Sequence, residues 1–181
     1  NRNGLTPSLD SLYFNFKTAY NSSQYIPTLE KYYNKWLALS KGHPAPEIIG
    51  YNRSDKIIKL SDFKGKIVYV DVWATWCGPC VAEIPASKNL QKKFESNADV
   101  VFMSVSVDEK KEAWNRKLDK ELDWKGVHII DSTLTIYKSY FMNGIPKYML
   151  IDQEGNIFNS RALPPSSEKS EEDINKMLQM N

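Results

Sequence analysis

The sequence predicts an α/β fold, a layered sandwich around a mixed central sheet, and three observations carry that prediction. Strand-like and helix-like segments alternate from about residue 48 to the C-terminus. Two strand-like runs, KIVYVDVWA (66–74) and DVVFMSVSV (99–107), are apolar on both alternating faces, as strands in the middle of a parallel sheet are. The chain then closes with a strand, a turn, a second strand and a helix, which adds antiparallel pairing at one side.

The elements follow in order. Residues 8–41 read as helical. In PTLEKYYNKWLALSKG, Leu29, Tyr32, Tyr33, Trp36 and Leu37 recur at helical spacing, with Pro27 at the entry and Gly42 past the end. This aromatic stripe reads as packing. HPAPEIIG (43–50) then breaks any helix with two prolines, which sets a boundary between an N-terminal helical extension, 1–42, and a main domain, 43–181. Ile48–Ile49 and KIIKL (56–60) read as short strands. Residues 79–95 read as a helix with a kink at Pro85, 109–122 as an amphipathic helix with a solvated lysine-rich face, 126–130 as a strand and 132–141 as a helix. PKYMLID, QEGN and IFNSRAL read as strand, turn and strand, and EEDINKMLQM as the closing helix.

Composition bounds the function. A chain of 181 residues that is 41% hydrophobic and 12% aromatic can bury a sizeable core. The net charge is +2 with the two signs interspersed, so neither a nucleic-acid footprint nor a polybasic membrane patch is present. No apolar run approaches the ~20 residues that span a bilayer. The opening NRNGLTPSLD lacks an initiator Met, a basic n-region and an apolar h-region, and reads as a mature or trimmed product.

The two cysteines, Cys77 and Cys80, stand three apart where the buried strand at 66–74 passes into a helix. A helix N-terminus offers unpaired N–H groups and partial positive charge, so a thiolate there is stabilised. Cys77 takes that solvent-facing place as nucleophile. Cys80, one turn in, is the resolving thiol that attacks a mixed disulfide on Cys77. Gly78 and Pro79 between them suit a tight turn into a helix. A purely structural disulfide across so short a loop would contribute only about 2 kcal/mol. A zinc site would need His43 and His128, both distant in sequence, as supporting ligands.

Alternation places Asp71 on the same strand face as Ile67, Tyr69 and Trp73, in the packed layer beneath the cysteines. Desolvation raises the pKa of a buried carboxyl toward neutrality, and such a group can exchange a proton with Cys80. The alternative is an aspartate satisfied by local hydrogen bonds at a strand end. Glu83, three past Cys80, is a second candidate acid, although an acid in the first turns of a helix is favourable in any case. Thr75 has no assigned role, and Trp73 reads as core.

VDVWATWCGPC resembles the active-site stretch of the thioredoxin superfamily, and GIPKYMLID (144–152) resembles its second signature. The longer stretch HPAPEI…LSDFKGKIVYVDVWATWCGPCVAEIP is similar to the TlpA/ResA-type branch, related to peroxiredoxins, over roughly residues 43–180. The resemblance implies a thioredoxin-like three-layer α/β/α sandwich and a protein disulfide oxidoreductase, more as reductant than oxidant. It implies that Pro146 is a cis-proline against the cysteine pair, that the Ile145 backbone pairs with an extended substrate strand, and that Trp76 belongs to the platform for the partner chain. Asp71 matches the buried acid of thioredoxins, and Glu83 an acidic position of the ResA-type branch. The helical extension is similar to those of multi-domain enzymes of Bacteroides-type bacteria.

The implied partners are protein thiols and disulfides and an upstream electron donor, with no cofactor, no metal and no nucleic acid. The implied protein is a monomer in the periplasm or another extracytoplasmic space, tethered through an anchor removed from this chain. Two other functions compete. A peroxidase of peroxiredoxin type wants a threonine three residues before its reactive cysteine, where this chain has Ala74. A copper- or metal-carrying dithiol protein leaves Gly78-Pro79 and Asp71 without a role.

Overall fold

The structure, a computed structural model, describes residues 7–121 and 123–180. Residues 1–6 of the extension and Leu122, the last position of the segment read as helical, lie outside the described residues.

Seven strands form one sheet in the order β2-β1-β5-β4-β3-β6-β7. They are β1 (Ile49–Tyr51), β2 (Ile57–Lys59), β3 (Ile67–Trp73), β4 (Val100–Ser106), β5 (Val127–Ile130), β6 (Lys147–Ile151) and β7 (Ile157–Ala162). The three central strands β3, β4 and β5 are parallel, and β1, β2, β6 and β7 pair antiparallel, so the sheet is mixed as predicted. All seven residues of β3 are buried, which is why its sequence is apolar on both faces.

The helices are α1 (Pro7–Ala19), α2 (Ile26–Ala38), α3 (Gly78–Ala82), α4 (Ile84–Lys93), α5 (Lys111–Lys120), α6 (Thr135–Ser139) and α7 (Glu168–Leu178). The α3–α4 break falls where Pro85 forbids a continuous helix, and α4 starts afresh with that proline in its first turn. On one face of the sheet, Ile67 and Tyr69 pack with Leu90 of α4, Phe94 just past its end, and Ile174 and Met177 of α7. The alternate residues Val68, Val70 and Val72 join a larger cluster with Ile136 of α6 and Tyr140 just past its end. That cluster runs round the C-terminal end of β3 to Cys77, Cys80 and Ile84, so the cysteines sit where core and surface meet. Gly126 turns the chain into β5 at φ +97°, where an added Cβ would come within 2.6 Å of the Phe102 carbonyl oxygen; only glycine fits there.

The segment 42–45 joins extension to sheet. The Gly42 N–H donates to the Ile157 carbonyl (2.8 Å), the Ile157 N–H to the His43 carbonyl (2.8 Å) and the Ala45 N–H to the Gly155 carbonyl (3.0 Å). The expectation that the aromatic stripe of α2 is packing is corrected: α2 buries no residue, and Leu29, Tyr32 and Trp36 are 37%, 56% and 36% exposed. The helix rests on α1 through stacked Tyr13 and Tyr33 rings 3.9 Å apart. It meets the main domain through cation–π contacts, Arg161 on Trp36 and Lys35 on Phe141, rather than through a sealed core.

Candidate active site

The buried strand β3 delivers a four-residue loop and then α3, whose N-cap is Cys77, the last residue of that loop. Cys77 and Cys80 form a disulfide, with Cα atoms 5.2 Å apart. The Cys77 sulfur also accepts a hydrogen bond from the Cys80 backbone N–H (3.3 Å), one of the donors that the first turn of a helix leaves free. In this oxidised form Cys77 is not solvent-facing as expected: it is 6% exposed, and Cys80 3%. The apolar cluster beneath takes in both sulfurs, while Trp76, Gly78 and Pro79 stand exposed around them, Trp76 at 66%. Trp76 also borders an open groove of about 610 Å³, lined further by Val107, Ala113, Leu134 and Tyr137.

The loop between β3 and α3 is fastened by a carboxylate that sequence reasoning did not single out. Asp108, buried just past β4, accepts from the Thr75 N–H (3.0 Å), the Thr75 hydroxyl (2.7 Å) and the Ser106 hydroxyl (2.7 Å). Thr75, left without a role on sequence grounds, therefore ties the residues before the nucleophile to the neighbouring strand. The only hint in the sequence is Ser-Val-Asp at the end of an apolar strand; the partner lies 33 positions away.

Asp71 occupies the middle of β3, opposite Ser104 of β4 and Tyr148 of β6. It is buried, and its Oδ1 has no hydrogen-bond partner among the described residues, as is also true of the Tyr148 hydroxyl. Burial first, and the negative charge of Glu83 second, push the Asp71 carboxyl up to about 8. Glu83 lies at the α3–α4 joint, half-buried, and accepts from the Ser166 N–H (3.0 Å) and hydroxyl (2.9 Å) of the loop after β7. Tyr69, on the same face as Asp71, donates its hydroxyl to the Leu163 carbonyl (2.6 Å). Trp73 is core, packed edge-on against Trp124 with ring centroids 5.0 Å apart.

On the other side of β3, the Ile145–Pro146 peptide bond is cis and leads directly into β6. Ile145 packs against the cluster that holds both cysteines. His128 turns its Nε2 to the Trp124 carbonyl (2.9 Å). Among the described residues no group of three or more His, Cys, Asp or Glu is placed to hold a metal ion.

A redox dithiol at a helix N-cap, beside a cis-proline and above a buried acid, matches a known family in sequence. The sequence model of the Redoxin family matches residues 40–178. The chain belongs to the Redoxin family. The thiol-disulfide oxidoreductase ResA of Bacillus cereus (strain ATCC 10987 / NRS 248) is 31% identical over 146 residues, covering 81% of this chain and 83% of that one. ResA of Bacillus subtilis (strain 168) is 32% identical over 120 residues, 66% of each chain. Among solved structures, a candidate thiol-disulfide oxidoreductase from Bacteroides vulgatus superposes with a TM-score of 0.72 at 36% identity, over 77% of this chain and 98% of that one. The thioredoxin domain of another Bacteroides vulgatus thiol-disulfide oxidoreductase gives 0.67 at 27% identity, over 76% and 97%. This Redoxin-family chain has the thioredoxin-like three-layer fold with added N-terminal helices, and it is a protein disulfide oxidoreductase of thioredoxin type acting on protein thiols and disulfides.

Proposed function

We propose that the enzyme works as a reductant, with Cys77 as nucleophile, Cys80 as resolving thiol and Asp71 as the group that takes the proton from Cys80. The Cys77 thiolate attacks a substrate disulfide, forming a mixed disulfide and expelling one substrate sulfur as thiolate. Cys80, deprotonated by the Asp71 carboxylate, attacks the Cys77 sulfur; the second substrate thiolate leaves, and both substrate thiolates are protonated. The substrate has gained two electrons and the protein holds the Cys77–Cys80 disulfide. An upstream dithiol donor returns the pair to its reduced form.

The observation that carries this reading is the unpartnered, buried Asp71 carboxyl whose pKa of about 8 suits proton transfer near neutral pH. Glu83 acts through Asp71: its charge holds the Asp71 proton on, and Ser166 holds Glu83 in place. Trp76, Gly78 and Pro79 form the exposed platform around the sulfurs, and the backbone of Ile145, next to Pro146, pairs with an extended substrate segment. The extension 1–42 and the domain 43–181 are separate units of a monomer that acts outside the cytoplasm and is tethered there in its full-length form.

The deciding experiment equilibrates the Cys77–Cys80 couple in glutathione and dithiothreitol buffers. A potential well below the glutathione couple is the expected result, and ~30 mV on that scale corresponds to about 1.4 kcal/mol. A potential well above it assigns the protein to oxidation or isomerisation instead. In parallel, Cys80→Ser should trap a mixed disulfide through Cys77, and Cys77→Ser should trap none.

A further inference from the structure

The face of the sheet opposite Asp71 carries a half-buried ionisable group that thiol–disulfide exchange does not use. Lys147 follows the cis-proline directly and opens β6. In the ladder Tyr148 faces Asp71, so Lys147 points to the other face, where Arg161 of β7 also points. Its ammonium group is half-buried, and neither Lys147 nor Lys35 forms an ion pair with any described carboxylate. Desolvation first, and the like charge of Arg161 second, bring the Lys147 amine down to about 8. A half-buried Lys147 ammonium with no described carboxylate against it is unfavourable for the fold taken alone.

The surroundings are those of a recognition surface. The Arg161 guanidinium lies over the Trp36 ring at 4.7 Å, and the Lys35 ammonium over the Phe141 ring at 4.7 Å. Trp36 and Phe141 are each 36% exposed. Phe141 is held at φ +46°, a left-handed conformation that costs a bulky side chain free energy and that persists where the surroundings impose it. The extension thus sets Trp36 against Arg161, whose charge acts on Lys147, and Lys35 against Phe141, four residues before the Ile145 backbone proposed to pair with substrate.

We infer that Lys147, Arg161 and Lys35, walled by Trp36 and Phe141, form a subsite for an acidic residue that flanks the disulfide cysteine of the substrate protein. This rests on the exchange reading above. An extended chain advances about 3.3 Å per residue, so a carboxylate within about three residues of the position opposite Ile145 lies in range of the Lys147 ammonium, which can reach outward on its long stem.

The test uses the full chain reduced with dithiothreitol and desalted, and three peptides with one internal disulfide that differ only in the two residues flanking one cysteine: Glu-Glu, Gln-Gln or Lys-Lys. The protein dithiol becomes a disulfide as the peptide disulfide becomes two thiols, and the second-order rate is read from tryptophan fluorescence. The Glu-Glu peptide is expected to react about tenfold faster than the Gln-Gln peptide at low ionic strength, with Lys-Lys slowest. The spread should narrow in 0.5 M salt, because the Debye length falls to only a few ångströms. Lys147→Gln should remove most of the Glu-Glu advantage, and Lys147→Glu should invert the order. Lys35→Gln, on an exposed helix, should halve the advantage and guards against misfolding at Lys147. Equal rates for all three peptides, or an advantage untouched by either lysine variant, overturn the subsite. If no peptide is reduced, the exchange reading falls first and the subsite with it.

Discussion

Two aspartates are buried near the active-site loop, one from each of two neighbouring strands, and they are treated in opposite ways. Asp108 is surrounded by donors: the Thr75 N–H and hydroxyl, and the Ser106 hydroxyl, all converge on its carboxylate. Asp71 has an oxygen with no partner among the described residues, and a second acid, Glu83, close enough to disfavour its charge. A carboxylate that accepts several hydrogen bonds is satisfied as an anion and holds a structure together. One left unsatisfied keeps its proton into the neutral range and costs the fold stability over the pH range in which the unfolded chain has already released that proton. The comparison shows that burial alone does not mark a functional acid; burial without donors does.

The sharpest way to break the comparison is Asp71→Asn in the oxidised protein, where neither cysteine titrates. The Asp71 carboxyl titrates at about 8 in the fold, against 3.8 for an unperturbed aspartate. Below both values the native and unfolded states are equally protonated, so Asp71 costs nothing. Between them the native state holds a proton that the unfolded state has released, and stability falls by about 1.4 kcal/mol per pH unit until the native group ionises. The variant should therefore match the wild type in chemical denaturation at pH 3 and exceed it by several kcal/mol at pH 8, while the pH–rate profile of exchange loses its step near 8. Glu83, Tyr69 and Tyr148 face this site; burial first, then the nearby negative charges of Asp71 and Glu83 among others, hold the two tyrosine hydroxyls protonated well above this window. Equal stability at both pH values would mean that Asp71 is solvated after all.

Asp108→Ala should move stability the other way, by about 2–3 kcal/mol, because it strands donors that are shielded from water. Circular dichroism melts check the loss, and a reduction potential shifted in the same variant would show that the Thr75 anchor also tunes Cys77. The smallest effect is expected at the extension. Trp36→Ala removes one exposed cation–π contact and should cost about 0.5–1 kcal/mol. A large loss there would mean that α2 is welded to the main domain more firmly than its exposed face indicates.

The legible parts of this molecule were those encoded locally. The apolar runs at 66–74 and 99–107 are the central strands, the Pro85 kink is a true break between two helices, and Cys77-Gly-Pro-Cys80 is the redox pair, because each depends on spacing along a few residues. Asp71 stood out because a carboxylate in a strand apolar on both faces contradicts its surroundings. What stayed hidden depends on positions far apart in sequence. Thr75 and Asp108 meet across two strands, Glu83 and Ser166 across 83 residues, and Lys35 and Phe141 across the join between extension and domain. The periodicity of α2 marks a helix but not a buried one, since an apolar stripe states what a helix could bury without naming anything to bury it against.

The lacing of residues 42–45 onto the start of β7 has one more consequence. β7 is the last strand of the sheet, and an unpaired strand margin invites pairing with the same margin of another molecule. Here the chain's own backbone occupies the N–H and carbonyl of Ile157 before a neighbour can. The join between extension and domain thus acts as a safeguard against self-templated aggregation, and a fragment cut after residue 45 would offer that margin to every other copy in solution.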